Sequence, residues 1–238
     1  LLVAVYVTGR SVAGARRWLS LGPVSLQPSE LFKLIFIVTL VWALTSRWAY
    51  PLSRGGVFFC LGLLAVPFLL VVKQPDLGSA LVLVPVLLAI LTGANVRFRL
   101  LGWLGLTALA AAPLTWLALK GYQRERLLVF LDPLRDPQGS AYNVIQAKIA
   151  IGSGQLLGKG IEGATQSRLA FLPERHTDFI FAVFAEQWGF LGCLALIICY
   201  LVLLLRGFEI AGAARDPSGR LLALGVTALL AAQILINM

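Results

Sequence analysis

Six long apolar segments constrain the fold of this chain more than any other feature. The 238 residues are 59% hydrophobic and only 13% charged, whereas soluble domains are nearer to half apolar and a quarter charged. About 20 apolar residues in a row form a helix that can cross a bilayer, because a helix satisfies its own backbone hydrogen bonds there. We therefore predict an all-α membrane protein, a polytopic transmembrane helix bundle. The predicted spans are 31–46, 57–72, 78–94, 98–119, 179–205 and 221–238, with a partial span at 1–8.

The distribution of basic residues predicts which loops face the cytoplasm. The short loops at 47–56, 95–99 and 206–220 carry seven arginines, against four Lys and Arg residues in the short loops of the opposite side. Cytoplasmic loops are enriched in Lys and Arg. We therefore expect the first set in the cytoplasm and the segment 120–177 to be one large extracytoplasmic loop. The chain begins and stops inside apolar runs, so we expect an interior fragment of a longer protein.

The large loop has the composition of a folded segment. The isoleucines and Val144 between 144 and 151 alternate with Gln146 and Lys148, which predicts an amphipathic helix in the membrane interface. A turn at Gly152-Ser153-Gly154 would follow it. We expect the loop to form a folded cap at the membrane surface.

The charged segment at the end of this loop is the first candidate for chemistry. Residues 171–178 read FLPERHTD and run directly into an apolar span. A carboxylate carried to the centre of such a span costs about 2.5–3.5 kcal/mol, so Asp178 is either functional or stabilised at a helix N-terminus. Glu186 follows eight residues later, about 12 Å along a helix. That exceeds the ~5–9.5 Å between the paired carboxylates of glycosidases, so we expect Asp178 to act without it.

A second candidate lies at the start of the first full span, in the sequence QPSELFK. Glu30 and Lys33 are spaced for an i,i+3 ion pair with Glu30 in the first helical turn. Arg16 and Arg17 precede them on the same predicted side, so a cationic pocket for a pyrophosphate is the alternative interpretation. Asp76, in a tight turn on that side, has the position of a helix cap.

Several other kinds of site are disfavoured. The segment from Gly154 to Gly160 lacks the second Gly and the Ser or Thr of a phosphate loop, so we expect its glycines to serve turns and Lys159 to meet a lipid phosphate. The three cysteines lie in apolar stretches and there is one histidine, which predicts neither disulfides nor a transition-metal site. The net charge is +9, and the basic residues that produce it lie between the apolar runs. Membrane lipids are therefore the expected partners, and nucleic acid is not.

Taken in order, the motifs LQPSELFK, QPDLGS, YQRERL…DP, AKIAIGSG and FLPERHTDFIFA resemble those of the SEDS proteins (shape, elongation, division and sporulation). The resemblance covers nearly the whole chain. Arg175 and the segment GATQS at 163–167 are more similar to the rod-shape branch, RodA, than to the division branch, FtsW. On this resemblance, 1–238 would be a single SEDS-type transmembrane domain that lacks the family's first and C-terminal helices.

The resemblance implies a peptidoglycan glycosyltransferase of the bacterial cytoplasmic membrane, which polymerises lipid II on the outer face for cell-wall elongation. A class B penicillin-binding protein would be its partner. Asp178 would be the catalytic residue, with Glu30 and Lys33 lining the outer cavity. As a hypothesis, Asp178 removes the proton of the acceptor hydroxyl, and cations meet the leaving pyrophosphate. The candidate cations are Arg17, Lys33, Lys159 and Arg168.

Two other functions stay open at the level of sequence. Charges within membrane spans, such as Lys33 and Glu186, also suit a flippase that moves lipid II across the bilayer. A non-catalytic scaffold that recruits the penicillin-binding protein is the third interpretation. No cofactor is implied by the sequence, and whether a divalent cation takes part is left open.

Overall fold

The computed structural model describes residues 10–12, 15–21, 24–47, 54–73, 76–118, 142–164 and 179–238, and the single positions 121, 124 and 128. It falls into two compact units. The first comprises Leu1–Gly102 with Leu203–Ile236, and the second comprises Trp103–Val202 with Asn237–Met238. The two units are described separately below.

The six full spans predicted from the sequence are confirmed as helices, each within a few residues except at the C-terminal end of the one predicted at 179–205. The partial span predicted at 1–8 lies outside the described residues. Four of the helices are long and apolar enough to cross a membrane, namely α1, α2, α7 and α8 as defined below, while α3 is apolar but shorter. Pro67 and Pro85 lie inside α2 and α3, as expected for membrane helices. The described helices are α1 (Pro28–Arg47), α2 (Arg54–Lys73), α3 (Leu77–Gly93), α4 (Phe98–Ala118), α5 (Tyr142–Ser153), α6 (Gly160–Gly163), α7 (Ile180–Ala213) and α8 (Pro217–Asn237).

A small antiparallel sheet precedes α1 and is an addition to the predicted helix bundle. Its strands are β1 (Arg10–Val12), β2 (Ala15–Leu21) and β3 (Val24–Leu26), in that spatial order. Arg10 pairs with Trp18, and Leu19 pairs with Leu26. β1 and β3 have three residues each, too few for a period-two pattern. In the seven residues of β2, the adjacent Arg16 and Arg17 interrupt the alternation, so the sequence indicated only a loop here.

The first unit is held together by close helix packing through small residues. A Cβ added to Gly225 of α8 would come within 2.8 Å of Ile37 in α1 and 3.0 Å of Ile90 in α3. Gly93 lies against Leu224, and Gly207 against Thr227, with similarly little space. Small residues let helix backbones approach closely, which is how membrane helices associate without a hydrophobic driving force. The helices α1, α3 and α8 therefore form one tightly packed group.

In the second unit, α5 packs on the beginning of α7 through alanines. Ala147 and Ala150 are buried against Ala182, with Phe179 packed beside them. The predicted helix is therefore confirmed, and it runs through Gly152 to Ser153, so the turn comes slightly later than expected. Ile149 and Ile151 remain exposed, as an interfacial helix would present them to lipid.

The helix α7 is kinked at Gly189, where φ is 65° and ψ is −165°. In an unbroken helix, the N–H groups of residues 190 and 191 would donate to the carbonyls four residues earlier. Here Phe190 N–H donates to the Gln155 carbonyl at 2.8 Å, and Leu191 N–H donates to the Leu156 carbonyl at 3.1 Å. The Glu186 carbonyl accepts from the Lys159 N–H at 2.9 Å. The turn after α5 therefore replaces the hydrogen bonds that the kink removes.

Two glycines of this turn make a matched pair for testing its fit on the kink. Gly158 and Gly160 both have positive φ, of 81° and 69°, but an added Cβ would overlap the Gln187 backbone at Gly158 and would meet nothing at Gly160. We expect Gly160→Ala to cost about 1–2 kcal/mol for the left-handed backbone. Gly158→Ala should cost a further 1–3 kcal/mol or so through overpacking. Thermal unfolding of the full-length protein in detergent measures both, and equal losses would contradict the fit.

Candidate functional site

A group of polar side chains gathers at one end of the first unit, where α1 and α3 begin and α8 ends. We call it the polar cluster. Its members are Gln27, Glu30, Lys33, Asp76, Ser79 and Gln233. Their hydrogen bonds join α8 to α1, and join the start of α3 to the residue before α1, so the cluster is a product of the tertiary fold and not of one motif.

The ion pair between Glu30 and Lys33 is the centre of the polar cluster. The Lys33 Nζ lies 2.8 Å from both carboxylate oxygens of Glu30, so the predicted i,i+3 pair is confirmed. The Lys33 side chain is only 5% exposed, whereas that of Glu30 is 49% exposed. A buried ammonium needs such a partner, because an unpaired charge away from water is costly. The pair therefore presents its carboxylate to the surface and keeps its cation behind it.

Asp76 both caps α3 and connects that helix to the residue before α1. One carboxylate oxygen accepts from the Ser79 N–H at 3.2 Å, and the other accepts from the Ser79 hydroxyl at 2.9 Å. The predicted capping role is therefore confirmed. The Gln27 amide also donates to Asp76 at 3.3 Å, a contact across 49 residues that capping alone does not require. Asp76 thus holds the starts of α1 and α3 together.

Gln233 joins the polar cluster from the last helix, and the sequence analysis missed it. Its amide Nε2 donates to a carboxylate oxygen of Glu30 at 3.4 Å, across 203 residues. An uncharged amide near the end of a long apolar helix was the one available signal, because polar side chains in membrane helices tend to face protein. Glu30 is therefore held from its own helix by Lys33 and from α8 by Gln233.

Of the predicted site residues, the structure pairs Glu30 and Lys33 within the first unit. Arg17 lies in β2, and its side chain is outside the described part. Lys159 lies in the second unit, exposed, immediately before α6. Asp178 and Arg168 fall outside the described residues.

Glu186 is fully buried in α7, and its backbone carbonyl accepts the hydrogen bond from the Lys159 N–H in the turn after α5. Its side chain is therefore shielded from solvent and enters the packing of the second unit. Within the described ranges, no group of three or more His, Cys, Asp or Glu side chains is arranged to hold a metal ion. The polar cluster offers hydrogen bonding and charge, from one half-exposed carboxylate and the cation behind it.

Comparison with known proteins gives a consistent result over the whole chain. The model of the family FtsW/RodA/SpoVE, described as cell cycle protein, matches residues 1–238. The peptidoglycan glycosyltransferase MrdB of Escherichia coli K12 is 44% identical over 238 residues, which are 100% of this chain and 64% of that protein. The stage V sporulation protein E of Bacillus subtilis is 36% identical over 243 residues, covering 100% of this chain and 65% of that protein.

Solved structures agree with the sequence matches. A chain from a peptidoglycan synthase complex that coordinates polymerization and crosslinking matches with a TM-score of 0.79 and 37% identity, over 99% of this chain and 65% of that one. The rod shape determining protein RodA of Thermus thermophilus matches with a TM-score of 0.65 and 31% identity, over 99% of this chain and 60% of that one.

The present chain spans slightly less than two thirds of the length of these relatives. The matched residues, 1–238, nevertheless span the positions of every motif on which the resemblance was based. With its apolar helices, the chain is a bacterial membrane protein. It belongs to the FtsW/RodA/SpoVE family of cell cycle proteins.

Proposed function

We propose that the full-length protein is a peptidoglycan glycosyltransferase that joins lipid II units into glycan strands for cell-wall elongation and rod shape. The observation that carries this proposal is the polar cluster, in which α1 and α8 hold a buried Lys33 and a half-exposed Glu30 at one end of the bundle. A relative that is 44% identical bears the name peptidoglycan glycosyltransferase. A polar group kept at the end of apolar helices suits a substrate with a lipid tail and a polar head.

The proposed reaction is glycosyl transfer between two lipid-linked saccharides. Asp178 accepts the proton of the acceptor 4-hydroxyl as that oxygen attacks the anomeric carbon of the donor. The bond from that carbon to the pyrophosphate breaks, and undecaprenyl pyrophosphate leaves with the electron pair. Asp178 then returns its proton to water. One carboxylate suffices because a pyrophosphate can leave without being protonated.

The cations of the chain would stabilise the leaving pyrophosphate. Lys33 is the best supported of them, because its ammonium is buried beside the half-exposed Glu30 and a buried charge acts more strongly than one in water. Glu30 would orient that ammonium and bind a substrate hydroxyl or amide. We propose weaker roles of the same kind for Arg17, Lys159 and Arg168.

The proposed location follows from the predicted topology, and the proposed partner follows from one similar solved structure. The arginine-rich short loops favour an active site on the outer face of the cytoplasmic membrane, where 120–177 would be the large outer loop. A class B penicillin-binding protein is the proposed partner, because a neighbour of TM-score 0.79 comes from a complex that coordinates polymerization with crosslinking.

A lipid II flippase is the alternative, favoured by the burial of Lys33 and Glu186 in apolar helices. Purified full-length protein with its partner, given lipid II in detergent, separates the two activities. The glycosyltransferase should yield glycan chains that a muramidase digests. Translocation of lipid II in liposomes without chains in detergent would favour the flippase and contradict our proposal. The absence of both activities would indicate a scaffold.

A further inference from the structure

We propose that the turn after α5 is inserted into the membrane, with its leucines among the acyl chains of the surrounding bilayer. We call residues 155–161, together with Trp188 and Phe190 of α7, the apolar turn. The expectation from sequence was that the loop 120–177 forms a folded extracytoplasmic cap at the membrane surface. The apolar turn is the part of that loop that would go deeper and enter the hydrocarbon. This inference is independent of the reaction that the protein catalyses.

The apolar side chains of the apolar turn are so exposed that their contact with water would be unfavourable. Leu157 is 78% exposed, Ile161 is 71% exposed and Leu156 is 66% exposed, and Trp188 and Phe190 are exposed beside them. A depression of about 800 Å³ lies between the leucines and Phe190. Each large aliphatic side chain is stabilised when it leaves water for an apolar phase. A contiguous patch of this kind marks a surface that another apolar phase covers.

The backbone of the apolar turn meets the requirement that hydrocarbon imposes. An irregular segment is tolerated at membrane depth only when its polar backbone groups are satisfied within the protein. The carbonyls of Gln155 and Leu156 accept from the kinked part of α7, and the Lys159 N–H donates to Glu186. The Gly158 N–H donates to the Gly154 carbonyl at 2.8 Å. The turn can therefore face lipid without leaving these groups unpaired.

The length of α7 sets the depth of the turn. Residues 190–205 carry no charge and extend about 24 Å at 1.5 Å per residue, compared with about 30 Å for the hydrocarbon core. Arg206 and Glu209 form an exposed ion pair directly after this segment, which marks one boundary of the core. Gly189 then lies close to the opposite boundary, and the turn is bonded to α7 at that level.

The residues around the kink have the chemistry of that boundary. Trp188 is exposed and stacks on Phe184 with ring centroids 6.0 Å apart, and tryptophan is enriched where hydrocarbon meets headgroups. Lys159 is exposed two residues after Leu157, and a lysine at this depth extends its ammonium to the phosphates. Apolar side chains below and a cation above fit an anionic lipid surface. The occupant is therefore the bilayer itself.

Depth-dependent fluorescence quenching tests this inference. Full-length protein with Cys60, Cys193 and Cys199 replaced by alanine would carry one new cysteine, labelled with bimane, in nanodiscs of phosphatidylethanolamine and phosphatidylglycerol. The labelled variants are Leu157→Cys and Ile161→Cys, with Leu201→Cys as the control within the membrane and Ser218→Cys as the control in water. Lipids with a nitroxide near the top of the acyl chain, and iodide in the buffer, are the quenchers.

We expect the shallow nitroxide lipid to quench at positions 157 and 161 several-fold more than at 218, and iodide to quench at them several-fold less. Strong iodide quenching at 157, equal to that at 218, would overturn the inference. Protection of 157 from both quenchers would also overturn it, because that result would assign the surface to a protein partner. Both labelled side chains are exposed, so the cysteine variants should fold as the parent does.

Discussion

Asp178→Asn in the full-length protein is expected to abolish glycan polymerisation from lipid II while leaving expression and membrane insertion unchanged. Asparagine keeps the size and much of the hydrogen bonding of aspartate, but it cannot accept a proton at neutral pH. A general base contributes roughly 10²–10⁴-fold to the rate, so the loss should fall in that range. The measurement is the initial rate of chain formation with the partner present at saturation.

Asp136→Asn is the matched control, because it makes the same change in the same predicted outer loop at a residue with no proposed role. It should polymerise at the parental rate. Binding of lipid II to the Asp178→Asn variant should persist, because the carboxylate is proposed to act on a proton and not to hold the substrate. Polymerisation by Asp178→Asn at the parental rate would remove the proposed base from the mechanism.

The second large effect is expected at the ion pair of the polar cluster. Glu30→Gln leaves the ammonium of Lys33 buried without a counter-charge, and breaking a buried pair in this way costs several kcal/mol. Because Glu30 is half exposed, we expect about 3 kcal/mol, the lower end of that range. Lys33→Met should cost much less, since it places an apolar chain of similar length in the buried position and leaves Glu30 to solvent.

Combining the two substitutions separates folding from function. The double variant Glu30→Gln, Lys33→Met should recover most of the thermal stability that Glu30→Gln loses, because no buried charge remains. Its rate of polymerisation should stay roughly 10²-fold below the parental rate, since the cation that meets the pyrophosphate is gone. Thermal unfolding in detergent and the rate of chain formation are measured on all four proteins. Recovery of activity together with stability would show that the pair is structural alone.

The sequence predicted the membrane helices well because their signal is local. A run of apolar residues indicates a membrane span wherever it occurs. The observed bounds of α1 and α2 therefore differ from the predicted ones by only one to three residues. The main difference is at α7, which continues to Ala213, beyond the predicted end at 205. The three strands before α1 were missed because two of them have only three residues each and the third, β2, contains two adjacent arginines that interrupt its alternation.

The polar cluster was predictable only where its residues are neighbours in sequence. Glu30 and Lys33 are three positions apart, so helical geometry alone pairs them. Gln233 is brought to Glu30 by the packing of α8 on α1, and nothing local in an isolated glutamine indicates its partner. The kink at Gly189 was missed for a related reason, since one glycine in an apolar helix has no fixed meaning. Its geometry depends on a turn that lies 30 residues earlier in the chain.

The hydrogen bonds between that turn and α7 restrict how this part of the chain can change in length. The carbonyls of Gln155 and Leu156 and the N–H of Lys159 each meet a defined backbone group at the kink. One residue inserted between Gly154 and Lys159 would move at least one of these groups out of register, and a deletion would do the same. Insertions and deletions should therefore not be tolerated at these few positions of the loop 120–177.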